Sequence, residues 1–218
     1  MTRSPNTRPP RWAEDWVSAL VEEEARSFTR VESNEANRVF RLDFDRQSLF
    51  LKIGPNLQRE YEKLRWLEGR LRCPRPIGFT AHEEADALLT SAIDGEGLAQ
   101  LSASLPPQTV ISRLATALLD LHATDTTGWP FGTSSEGKVL VHGDACLPNF
   151  LYRDGYLSGY IDVGEMTVAE PEVDLAAAVW SLQYNLGPGH GLAFLRKYGI
   201  KEADEERVEA LRLKYELG

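Results

Sequence analysis

The sequence predicts an α+β protein in two lobes, a small strand-rich N-terminal lobe and a mainly helical C-terminal one. Three observations predict it. Two short alternating apolar runs, "RVFRLDF" and "SLFLKI", sit inside the first 95 or so residues. Leucines at helical spacing flank those runs. Beyond residue 95 the apolar residues recur mostly at helical spacing over long stretches, interrupted by one strand and one hairpin.

The boundaries read as a disordered tail over 1–11, an N-terminal lobe over 12–94 and a C-terminal lobe over 95–218. Residues 12–27 form an amphipathic helix, with Trp12, Trp16, Leu20 and Ala25 near helical spacing. "RVFRLDF" and "SLFLKI", separated by "DRQ", form an antiparallel hairpin, and "ESNEAN" is the loop before it. "PNLQREYEKLRWLEGRL" returns to helix, with Leu57, Leu64, Leu67 and Leu71 on one stripe. "CPRPIGF" ends that helix, because each Pro disfavours helical geometry in the residue before it. "ALLTSAIDG" is a buried strand running into a loop.

In the second lobe, "PQTVISRLATALLDLHATD" is a strong helix whose apolar face is Val110, Leu114, Ala117, Leu118 and Leu121. "GKVLVHGD" is a short strand. "NFLYRDGYLSGYIDVG" is a hairpin turning at Asp154-Gly155, a pair suited to a type I′ turn. "EVDLAAAVWSLQYNLG" and "DEERVEALRLKYEL" are helices, with "PGHG" and another helical run between them.

Composition narrows the function. Lys and Arg total 24 against 33 Asp and Glu, a net charge of −9. That disfavours nonspecific nucleic-acid binding, which needs basic residues to neutralise phosphates, and it is compatible with a cationic small substrate. Cys73 and Cys146 form no metal-ligand or CxxC pattern, which points to a reduced, cytoplasmic protein. No apolar run reaches the roughly 20 residues that span a bilayer. The basic start "MTRSPNTRPPRW" lacks the apolar core of a signal peptide. The oligomeric state is left open.

Five polar positions carry the chemistry. Lys52 lies in the apolar strand "LFLKI", where a lysine can simply be an edge residue reaching water. Glu60 shares the helix stripe of Leu64 and Leu67, so it faces inward and needs a cation, and Lys52 is the nearby candidate. Asp144 sits just past a buried strand. Asn149 follows five residues later, and Asp162 ends another apolar strand, with Gly164 allowing a tight turn. Singly, each could be a turn or cap residue. Together they offer a base and two oxygen ligands for Mg2+, a hard cation that favours carboxylate, amide oxygen and water. With a glutamate-braced lysine to clamp phosphate, this is the inventory for phosphoryl transfer, which rests on positioning and charge neutralisation.

"HGDACLPN", "IDVG" and "LFLK" resemble the aminoglycoside 3'-phosphotransferases, the kanamycin and neomycin kinases, whose fold is bilobal and protein-kinase-like. The likeness runs from Val31 nearly to the end and includes "REYEKLRWLEGRL", "AEPEVDLA", Leu121-His122 and "YGI". It implies an ATP- and Mg2+-dependent kinase that acts on a hydroxyl of a small, polyhydroxylated, cationic molecule and inactivates an antibiotic. Asp144 would be the base, and Asn149 and Asp162 would hold Mg2+. Lys52, set by Glu60, would contact the α- and β-phosphates. The loop 33–37, with Ser33 and Asn34, would cover the phosphates although it has no glycine. Ser91 to Ile93 would be the hinge whose backbone binds adenine. His142 and Asp174 would brace the catalytic loop.

The chain departs from that family on the acceptor side. Only "ATDTTGWPFGTSSEGKVL" separates the Leu121-His122 helix from "VHGD", where the antibiotic kinases carry an extra acidic, sugar-gripping segment. Glu165 stands where the family usually has Arg. Tyr184 and Asn185 fall in a stretch that the family makes more acidic, and the chain ends "YELG", with Glu216 as a remaining amine contact. The alternatives are therefore a kinase for another hydroxylated metabolite or antibiotic, or a nucleotide-binding relative with little activity. ATP and GTP are not distinguished.

Overall fold

The computed structural model describes residues 8–31, 37–132 and 137–217. The chain divides into two compact units, 1–65 with 74–92 and 66–73 with 93–218. This division is not contiguous, unlike the one expected from sequence.

The first unit opens with α1 (Arg11–Val21). The helix begins one residue before the expected start, and Arg8 already forks onto Glu14 at 3.0 and 2.8 Å, so the expected tail loses its last residues to this unit. It also ends well before residue 27. Glu22 turns left-handed, and Glu22, Glu23 and Glu24 would place three negative charges at the negative end of the helix dipole. The chain then forms β1 (Ser27–Val31), a strand not expected from the sequence, whose burial does not alternate. β2 (Arg38–Asp43) and β3 (Ser48–Gly54) make the expected hairpin, with Asp43 opposite Ser48.

α2 (Gln58–Leu67) is shorter than the leucine stripe suggests. Gly69, at φ 75°, takes a left-handed turn that a helix cannot continue through, so Leu71 lies beyond the end and is half-buried. Next, β4 (Pro76–Thr80) is a strand where sequence indicated only a helix break, and β5 (Asp86–Ser91) is the expected buried strand. The five strands form one sheet in the order β1-β2-β3-β5-β4, every neighbouring pair antiparallel. Ala13 and Val17 of α1 join Phe40, Leu42, Leu49, Leu51, Ile53 and Leu89 in one buried core. That core fixes the rotation of β3 and so the face on which Lys52 stands.

The second unit takes in 66–73 because that segment bonds there. Trp66 donates from Nε1 to Gly128 O at 3.1 Å, and Tyr160 N–H donates to Arg72 O at 2.8 Å. β6 (Glu96–Gly97) and α3 (Leu98–Leu101) lead to α4 (Pro107–His122). All five apolar residues assigned to its inner face are buried. β7 (Val139–Val141) delivers the chain to Asp144. β8 (Phe150–Arg153) and β9 (Tyr156–Tyr160) form the hairpin, with Asp154 at φ 52° and Gly155 at φ 86°, as a type I′ turn requires. β10 (Thr167–Ala169) returns to pair antiparallel with β7, a contact between strands too short and too distant in sequence to be read from patterning. The unit closes with α5 (Glu172–Leu186), α6 (Gly191–Tyr198) and α7 (Glu205–Leu217), where α7 lies against α5. No helix among the described residues is long and apolar enough to cross a membrane.

Candidate active site

Lys52 and Glu60 meet as the helix stripe predicts. In the first unit, Nζ stands 2.8 Å from Glu60 Oε2, and the two side chains are only 17% and 12% exposed. Glu62, two residues on, is exposed. An ion pair this dry needs both members, because removing one strands the other charge in a poorly solvated place. Ser33 and Asn34, the expected phosphate-covering residues, lie outside the described residues. Ser91 has its N–H on Arg75 O at 2.9 Å and accepts from Arg75 N–H through Oγ at 2.9 Å, and Ala92 N–H reaches Ser48 O at 3.3 Å.

In the second unit the turn 142–149 is built around a carboxylate that sequence placed in a bracing role. Asp174, fully buried near the start of α5, accepts His142 N–H at Oδ2 (2.7 Å) and Gly143 N–H at Oδ1 (2.9 Å). His122 Nε2 lies 3.0 Å from Oδ2, and its Nδ1 is 2.7 Å from the Tyr198 hydroxyl. His142 is also fully buried, with Nε2 3.0 Å from Ile161 O, and acts as a brace. Since a carbonyl only accepts, Nε2 is the donor in this bond. Gly143, at φ 85°, passes so close to Glu165 that an added Cβ would sit 2.6 Å from its carbonyl oxygen. Only glycine fits both the backbone angle and the space.

Asp144 follows directly. Asn149, on a 3-10 turn that Pro148 stiffens, points back, its Nδ2 donating to Asp144 O at 2.8 Å and Asp144 Oδ2 at 3.1 Å. This commits the amide nitrogen and leaves Oδ1, the atom a hard cation takes. Asn149 O in turn accepts Ile161 N–H at 3.0 Å, which ties the two strand ends together. Asp162, the next residue, is exposed and left-handed (φ 56°, ψ 53°). The tight turn therefore falls on Asp162 itself, not on Gly164, and Asp is among the few non-glycine residues that tolerate it. Among the described residues no group of three or more His, Cys, Asp or Glu could hold a metal alone. A two-oxygen site fits a Mg2+ that keeps waters and shares phosphate oxygens.

A residue that sequence reading missed touches Asp144. The Tyr215 hydroxyl, on α7, donates to Asp144 Oδ1 at 3.0 Å. The pair is 71 residues apart, and no local periodicity signals it. Of the expected acceptor contacts, Tyr184 is 77% exposed and stacks on Trp180 at 5.3 Å, whose ring lies 5.2 Å from that of Tyr215. Asn185 Nδ2 is held on Ser181 O at 2.7 Å, Glu165 is exposed, and Glu216 is paired with Arg212.

The phosphotransferase enzyme family matches residues 27–136 and 128–211. The chain belongs to that family. The two matched pieces overlap at 128–136, between α4 and β7. This phosphotransferase is 26% identical to an aminoglycoside 3'-phosphotransferase of Niallia circulans over 208 residues, which takes in 73% of this chain and 79% of the relative. It is 26% identical to one from Streptomyces fradiae over 224 residues, 76% of this chain and 84% of that one. Among solved structures it resembles an aminoglycoside 3'-phosphotransferase of type VIII, with TM-score 0.73 and 25% identity over 94% of this chain and 98% of the other. A Streptomyces rimosus aminoglycoside phosphotransferase solved with ADP and streptomycin shares the fold, with TM-score 0.72 and 20% identity over 90% of this chain and 95% of that one.

Proposed function

We propose that this phosphotransferase is a Mg2+- and ATP-dependent kinase that transfers the γ-phosphoryl group to a hydroxyl of a small polyhydroxylated molecule, in the manner of the aminoglycoside 3'-phosphotransferases. The observation that carries the reading is the pinned turn 142–149, which offers Asp144 with Asn149 folded back upon it. Asp144 orients the acceptor hydroxyl and takes its proton. Asn149 Oδ1 and the Asp162 carboxylate are the metal oxygens. A bound Mg2+ supplies charge neutralisation on the phosphates. Lys52, set by Glu60, contacts the α- and β-phosphates, and residues 12–94 form the nucleotide-binding lobe. Ser91 and Ala92 already spend their N–H groups inside the first unit, so adenine recognition in this stretch falls to Ile93 N–H and to carbonyls.

A second reading, a kinase for another hydroxylated metabolite or antibiotic, is favoured by what surrounds Asp144. Tyr215 touches it, Trp180 and Tyr184 stack in turn behind the Tyr215 ring, and Glu216 is already neutralised by Arg212. An amine pocket lacking its acidic segment gives up several charge-assisted hydrogen bonds of about 1.5–3 kcal/mol each. A few such losses separate micromolar from millimolar affinity. Steady-state kinetics with Mg2+–ATP across kanamycin, neomycin and neutral ring alcohols decides between the readings. Poor kanamycin turnover beside better use of a less cationic alcohol supports the second, and tight, efficient kanamycin turnover supports the first. Asp144→Ala should lower turnover by about 10²–10⁴-fold at unchanged ATP affinity. If Asp144→Ala keeps wild-type turnover, the whole assignment fails.

A further inference from the structure

The Asp144 carboxylate is held at both oxygens. Asn149 Nδ2 donates to Oδ2 at 3.1 Å and the Tyr215 hydroxyl to Oδ1 at 3.0 Å. With its one proton spent on Asp144, the Tyr215 oxygen can accept from the Cys146 thiol, 3.4 Å away. A short relay of donors thus runs from Cys146 through Tyr215 to the carboxylate. The Tyr215 ring is set by Trp180, which α5 carries and Tyr184 backs. Burial first, and the neighbouring Cys146 and Asp144 next, push the Tyr215 phenol above its ordinary pKa, so it stays protonated and remains a donor at every working pH. A carboxylate offers about four lone-pair sites, and two are filled here. Fixing two sites fixes the plane of the carboxylate and the directions of the others.

We propose that Tyr215 is a positioning residue for the phosphoryl-transfer base: its hydroxyl holds the Asp144 carboxylate in one rotation, so that α7 sets how the acceptor hydroxyl is received. The inference rests on the reading of Asp144 as the base. It makes helix α7 part of the acceptor site without an acidic contact to the substrate. A purely structural Tyr215 would work through its ring, and Tyr215→Phe separates the two roles, because it keeps the ring on Trp180 and removes only the hydroxyl.

The test uses the full chain with Mg2+–ATP, with kanamycin, with neutral ring alcohols and with water alone as acceptor. Tyr215→Phe should melt close to wild type, leave the KM for ATP unchanged and lower kcat about tenfold or more, the scale of one lost hydrogen bond to a charged group. Spectroscopy gives a reading independent of turnover. In protein labelled with 3-fluorotyrosine, the fluorine resonance absent from Tyr215→Phe belongs to residue 215, and it should shift in Asp144→Asn. A kcat for Tyr215→Phe equal to wild type, or a resonance that ignores Asp144→Asn, overturns the proposal while leaving the kinase assignment standing. A wild-type chain that transfers phosphate to none of kanamycin, the neutral ring alcohols and water overturns the base assignment, and the proposal falls with it.

Discussion

Replacing Asp174 by Asn tests whether one buried carboxylate holds the turn that carries Asp144. The side chain keeps its size, but one of its two oxygens becomes an NH2 group. Oδ2 now accepts from His142 N–H and faces His122, while Oδ1 accepts from Gly143 N–H. Whichever way the amide turns, its NH2 meets a backbone N–H, donor against donor. One buried donor left unsatisfied costs about 1–3 kcal/mol. The bonds that survive lose their charge assistance, roughly 1 kcal/mol each. The sum is about 3–5 kcal/mol, a large share of the ~5–15 kcal/mol by which a domain is folded. At about 2–4 °C per kcal/mol for a chain of this size, melting should fall by roughly 6–20 °C. Urea denaturation measures the loss, and hydrogen exchange should speed up at the amides of His142 and Gly143 ahead of the rest of the unit. A variant within about 1 kcal/mol of wild type, with those amides still protected, would refute the argument.

The other expectations concern separate features. Lys52→Ala should weaken nucleotide affinity and Glu60→Ala should do so more mildly, with the double variant losing less than the sum because both serve one ion pair; strictly additive losses in calorimetry would show that Glu60 does not act through Lys52. Asp162→Ala should bind nucleotide without the Mg2+ dependence expected of wild type, and an unchanged dependence removes Asp162 from the proposed metal site. Burial pushes the thiols of Cys73 and Cys146 up to about 12, helped in Cys73 by Glu68. At pH 8 the thiolate fraction is then on the order of 10⁻⁴, so iodoacetamide should label the folded chain about 10³-fold more slowly than a free thiol. Because unfolded thiols lose their protons first, near about pH 8.5, these two groups lower stability as pH rises past that value. Rapid labelling of either cysteine in the native chain would contradict the raised pKa of its thiol.

Much of the fold was legible because burial imposes a period. α4 is the clearest case, since five residues chosen by spacing are all buried. The same reasoning turned Glu60 toward Lys52, because an acid on a leucine stripe faces inward and needs a cation. The Asp154-Gly155 turn was legible from local chemistry. What stayed hidden depends on contacts between distant segments. β4 and β10 are short and acquire strand geometry only through β5 and β7. The grouping of 66–73 with the second unit depends on bonds to Gly128 and Leu157, far along the chain. In the site, the oxygens of Asp144, Asn149 and Asp162 were legible as residue types at strand ends. Tyr215 was not, because an aromatic near the end of a helix looks like any other packing residue until its partner is known.

The pairing of β7 with β10 has a consequence for how this enzyme can vary. Val141 lies opposite Thr167, so the chain between them leaves one clamp and returns to it. Asp144, Asn149 and Asp162 all lie on this closed excursion, near its two feet, and the bond from Ile161 N–H to Asn149 O cross-ties those feet. The β8–β9 hairpin is the far end, and its tip at Asp154 and Gly155 bears on none of the three. Lineages could therefore lengthen or redecorate the tip at little cost, whereas one residue added between Val141 and Asn149 would shift Asp144 against the Asn149 amide. Inserting two glycines after Asp154 and, separately, one after Ala145 makes the contrast measurable as retained against lost phosphoryl transfer. Equal losses from both would mean that the clamp does not insulate the site from its own hairpin.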